Sequence, residues 1–120
     1  FKAHFSGTEV AQGACEIYSY PGGYGGLSTI EHGISNLCFI VAAKDVRRLH
    51  SEPELVLRQT VMRNRRASAA LAAATRCSDW FSVSLERFGL QTPSPKPGLL
   101  AIGDSAMPAH LSTRLREAEC

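Results

Sequence analysis

The chain has 120 residues, of which 44 % are hydrophobic and 20 % charged, with a net charge of +2. That suits one soluble domain with its own core and excludes a disordered chain. The small charge argues against a nucleic-acid partner, and no apolar run approaches the roughly 20 residues of a transmembrane helix.

From the N-terminus, Phe1–Phe5 reads as a short strand. Ser6-Gly7-Thr8-Glu9 punctuates it. A second strand is expected over Cys15–Tyr20, with Cys15 and Ile17 on one face and Glu16, Tyr18 and Tyr20 on the other. Pro21–Gly26 then carries four glycines in six residues. Gly23-Tyr24-Gly25 is no dinucleotide fingerprint, because that motif opens a helix whereas Leu27–Ile30 reads as strand. Two readings stay open: a close backbone approach to a flat ligand with Tyr24 as its wall, or a loop and bulge.

Glu31-His32-Gly33 marks a hairpin turn between strands 27–31 and 34–43, and His32 at its tip reads as solvated. Both faces of Asn36–Ala43 are apolar, which predicts a central strand covered on both sides. Val46 and Leu49 suggest a short helical segment. A longer helix is expected around 53–75, with Ser51 as N-cap, Pro53 in its first turn and an alanine-rich end at 67–74. Arg58, Arg63, Arg65 and Arg66 form a basic cluster that reads as a solvated face rather than a phosphate site. Trp80–Phe88 reads as a strand, and Gln91–Pro97, with three prolines, as a stiff connector between two layers or domains.

Leu99–Ile102 reads as a buried strand between glycines. Gly103 permits a sharp turn. Asp104 stands at the strand's carboxyl end, where open α/β sheets place ligands; it can accept bonds from polyol hydroxyls or cap a turn. The four cysteines, Cys15, Cys38, Cys77 and Cys120, lack the short spacings of zinc or redox motifs. No metal site is expected. Reduced thiols in a cytoplasmic protein are, with Cys15 and Cys38 packed as small hydrophobes.

Two stretches resemble one family. Pro97–Ala106, an apolar strand ending in Gly103-Asp104, resembles the second FAD-contacting motif of the FAD-dependent oxidoreductases built like p-hydroxybenzoate hydroxylase, which include the geranylgeranyl reductases and flavin-dependent halogenases. Tyr20-Pro21-Gly22-Gly23-Tyr24-Gly25-Gly26-Leu27, followed by Ile34–Cys38, is similar to the substrate-domain hairpin of the reductase-like branch. The resemblance implies an α+β fold in which an antiparallel sheet is covered by helices. Residues 1–97 would be part of a substrate-binding domain, and 98–120 a return strand of the FAD-binding domain. By the same resemblance Gly103 and Asp104 contact FAD. Tyr20, Gly22, Gly23, Tyr24 and Gly25 line the pocket for a small apolar organic substrate, with NAD(P)H as the reductant. The parent would be a monooxygenase or a reductase.

The chain also departs from that pattern. It holds no Gly-x-Gly-x-x-Gly unit, Pro108 comes early, and Ala109–Leu115 has no glycine. It therefore reads as an incomplete flavoenzyme, inactive by itself. Two alternatives belong to other classes. Gly103-Asp104-Ser105 also looks like the opening block of GDS-type serine esterases, but only fifteen residues follow Ser105, and His110 is too close to be the usual partner. A non-catalytic α+β binding module would share the fold without needing the Gly-Asp strand end.

Overall fold

The computed structural model describes residues 1–84. The expectations for Leu85–Phe88, the proline-rich connector, the boundary at 97/98, Gly103, Asp104 and Ser105 lie outside the described residues. Phe1–Val83 make one compact unit of α+β class.

Five strands build one antiparallel sheet: β1 (Lys2–Ser6), β2 (Cys15–Tyr20), β3 (Gly23–Thr29), β4 (Ile34–Val41) and β5 (Thr75–Arg76). Their spatial order is β2-β3-β4-β1-β5. The expected hairpin is present: β3 and β4 pair from Gly23↔Val41 to Thr29↔Ser35. Its turn holds His32 at φ 58° and Gly33 at φ 70°, and the Ile30 N–H donates to the Ile34 carbonyl at 2.7 Å. Strand β3 starts four residues earlier than the apolar run suggested. Pairing with β2 and β4 draws the glycines into the ladder, overriding their low strand propensity.

Period-2 alternation sorts the side chains between two faces. Ala3, Phe5, Tyr18, Tyr20, Leu27, Leu37 and Phe39 are buried on one face. Three short helices bring Leu49, Val56, Leu57, Val61, Ala67, Ala70 and Leu71 into the same core. These are α1 (Ala43–Arg48), α2 (Pro53–Gln59) and α3 (Arg65–Ala70), with a 3-10 turn at Val61–Arg63 between the last two. The single helix expected over 53–75 is thus replaced by shorter pieces. Thr60 breaks it at φ −124°, with its hydroxyl donating to the Val56 carbonyl at 2.6 Å. Ser51 does not cap α2: it lies in the left-handed region at φ 59°, and Glu52 occupies the cap position. Beyond Ala70 the alanines form turns, because the chain must reach the sheet edge and pair with β1.

Asn64 starts α3. Its Oδ1 accepts from the Arg66 and Ala67 N–H groups at 3.0 and 3.2 Å, and its Nδ2 donates to the Ser19 carbonyl at 3.0 Å. One side chain therefore caps a helix and ties it to β2. Asn64→Ala should cost about 1 kcal/mol, read as a lower urea midpoint. Asn64→Asp should recover the cap but not the bond to Ser19.

The strand expected over Trp80–Phe88 is reduced, within the described residues, to one bridge between Phe81 and Lys2. Thr75–Arg76 takes the edge instead, and the ladder is interrupted where the His4 N–H donates to Ser78 Oγ at 2.9 Å. Trp80 leaves the strand line and stands edge-on to Phe39, with ring centroids 5.7 Å apart. Its indole N–H donates to Glu54, which also holds Arg76 at 2.8 Å.

Candidate functional site

The sheet has a second face. Strand registers place three rows of side chains there: Ser19, Tyr24 and Ile40; Ile17, Gly26, Cys38 and Lys2; Cys15, Ser28, Asn36 and His4. Across β2, β3 and β4 these rows hold no charged side chain. Gly26 leaves a flat centre, with the tip of Ile17 leaning over it: a Cβ added to Gly26 would stand 3.3 Å from Ile17 Cδ1. Ile17 is 59 % exposed, and Cys15 and Cys38 are exposed free thiols. Two expectations are corrected here. Within the described residues β4 is central but covered on one side alone, and Cys15 and Cys38 are not packed into a core. Their apolar neighbours along the chain gave the contrary reading, yet no described element lies over this face.

One polar atom on this face is unsatisfied. Asn36 Oδ1 is shut off from solvent and has no hydrogen-bond partner among the described residues. A buried acceptor without a donor costs free energy.

The five residues expected to line a substrate pocket separate between the two faces. Tyr24 belongs to the open one. Tyr20 is buried against the core, where its hydroxyl donates to the Ile40 carbonyl at 3.1 Å. Burial pushes its phenol well above the usual range, with the Cys38 and Tyr24 side chains adding in the same direction. Gly23 and Gly25 also face the core side. A Cβ on Gly23 would come within 1.9 Å of the Ile40 carbonyl oxygen and 2.9 Å of the Tyr20 ring. At Gly25 it would stand 3.0 Å from Phe39 Cβ. The space over these two glycines is filled by the protein's own Tyr20 and Phe39. Gly22 sits in the turn at φ 84°, beside the carboxylate of Asp45.

The core-side edge of β2 is held by an ion pair that the reading of a solvated basic face did not include. Arg66 Nε and Nη2 donate to the two carboxylate oxygens of Glu16 at 2.8 and 2.6 Å, and Nη2 also reaches the Glu9 carbonyl. Glu16 accepts a further bond from the Tyr18 hydroxyl at 2.9 Å. Arg66 holds the Glu16 carboxyl below its ordinary value of 4.5, chiefly by that hydrogen bond. A lowered folded-state value contributes stability that is complete above the ordinary carboxylate range and is lost as pH falls through the lowered value. The stability gap between wild type and Glu16→Gln should therefore narrow as pH drops below 4.5. Urea midpoints across pH 7 to about 3 measure it, with a modest effect because the pair is exposed.

Among the described residues no helix is long and apolar enough to cross a membrane, and no three His, Cys, Asp or Glu side chains gather as a metal site. Comparison with protein-family models, with curated proteins and with solved structures returned no match.

Proposed function

We propose that this chain is part of a FAD-dependent oxidoreductase, a monooxygenase or reductase acting on a small apolar organic molecule. Phe1–Val83 would belong to its substrate-binding domain. The observation that carries the reading is the sheet face that no described element covers. It is backed by helices on its far side and uncharged across β2, β3 and β4. A flat apolar molecule fits such a surface, with Tyr24 and Ile40 as apolar contacts. The residues of the resemblance add support: Gly23–Leu27 and Ile34–Cys38 lie on the neighbouring strands β3 and β4, paired at Gly26↔Cys38 and Leu27↔Leu37. This assigns the open face, through Tyr24, to the substrate, and gives Tyr20, Gly23 and Gly25 the role of shaping the sheet beneath it.

FAD, with NAD(P)H as the reductant, would supply the electron transfer, and the chain's own residues position and exclude water. By the same reading Asp104 would offer the ribityl chain one charge-assisted hydrogen bond, about 1.5–3 kcal/mol. Even millimolar affinity requires about 4 kcal/mol, and no glycine-rich helix start for the pyrophosphate occurs in these 120 residues. The 120-residue chain should therefore purify colourless and leave flavin fluorescence unchanged at micromolar protein. In the protein encoded by the complete reading frame, Asp104→Ala should lower FAD retention. Unchanged flavin content would remove Asp104 from the site.

A further inference from the structure

We propose that the cleft beside the β2–β3 turn binds a small phosphomonoester dianion that also carries a hydroxyl group. This does not rest on the flavin reading. The cleft has a volume of about 210 Å³ and gathers Gly22 from the turn, Lys44, Asp45 and Arg48 from α1, Gln59 at the end of α2, and Arg63 just beyond it.

Three cations thus converge on one opening with a single carboxylate among them. Asp45 Oδ1 is already engaged by Arg48 at 3.3 Å. The side chains of Lys44, Gln59 and Arg63 have no hydrogen-bond or ion-pair partner among the described residues. The cleft's net charge of two positive units equals that of the whole chain, whose other charges cancel. Like charges held together repel, and a dianion between them removes that repulsion. Guanidinium groups match phosphate oxygens with a planar fork, and the lysine adds a point charge.

Size and the carboxylate narrow the class. Pockets for drug-sized ligands run to about 300–1,000 Å³, so this smaller cleft suits a phosphate with a short polyol chain. Asp45 Oδ2 faces the turn, 3.3 Å from where a Cβ of Gly22 would stand. A second phosphate there would be repelled, whereas a hydroxyl can donate to it.

The test is an amide shift titration of the 120-residue chain with glycerol 3-phosphate at constant ionic strength, beside inorganic phosphate and chloride. Saturable shifts are expected at Gly22, Lys44, Asp45 and Arg63, with glycerol 3-phosphate binding more tightly than phosphate. The double variant Lys44→Ala/Arg63→Ala should weaken binding by about tenfold or more through loss of two charge-assisted contacts. Arg58→Ala/Arg65→Ala, which removes two exposed cations outside the cleft, should leave it unchanged. Shifts that chloride reproduces, or an equal loss in both double variants, would overturn the site. Equal affinity for phosphate and glycerol 3-phosphate would overturn the hydroxyl contact.

Discussion

Phe39→Ala should destabilise the domain by about 3–5 kcal/mol. Phe39 is 1 % exposed in the central strand. Its ring stacks on Phe1 at 5.3 Å and meets the edge of Trp80 at 5.7 Å. Trp80 in turn stands against Phe1 and Phe5, so one truncation opens a cavity touching β1, β4 and the segment after β5. A domain of this size has about 5–15 kcal/mol in all, and the variant should be near unfolding at room temperature. Urea denaturation followed by Trp80 fluorescence measures the loss. Phe39→Leu, which keeps most of the volume, should retain more than half of it.

Gly23→Ala should be the most damaging of the glycine substitutions, at or above the upper end of the 1–3 kcal/mol or so typical of overpacking. Its methyl would have to occupy a point 1.9 Å from the Ile40 carbonyl oxygen, which is backbone and cannot rotate away. The neighbouring Gly26→Ala is the control. There the nearest atom is the free end of Ile17 at 3.3 Å, so a rotamer change makes room. Thermal unfolding of the two variants side by side should show a large fall in Tm for the first and a small one for the second. Similar falls would mean that β3 and β4 do not pair as described.

The contrast between those glycines shows what the sequence could and could not convey. Alternation in Cys15–Tyr20 separated Tyr18 and Tyr20 from Ile17 correctly, because a pleated strand leaves side chains only two directions. The hairpin was legible for the same reason, helped by the turn residues at His32-Gly33, although its strands end at Thr29 and Val41 and Ala43 already opens α1. The purpose of Gly23 and Gly25 was not legible. It depends on the Tyr20 ring and on Ile40 and Phe39, which reach these glycines only through the register of β2 and β4. The break at Thr60 was hidden because Leu55 and Met62 keep helical spacing across it; the buried threonine and the return of the chain toward β1 decide it. The apolar residues on both faces of β4 suggested two covering layers, and the described residues supply one. The second face is the surface assigned here to substrate. Likewise Arg63, read within a solvated cluster, joins a cleft only once folding sets it beside Lys44 and Arg48.

The most direct test of the flavin assignment is the flavin content of the protein expressed from its complete reading frame. After gel filtration, the extracted cofactor is measured by absorbance near 450 nm and identified by mass. The assignment predicts a yellow protein retaining about one FAD per chain, bleached by NAD(P)H or dithionite. A colourless protein that retains no flavin and binds none on titration would contradict it.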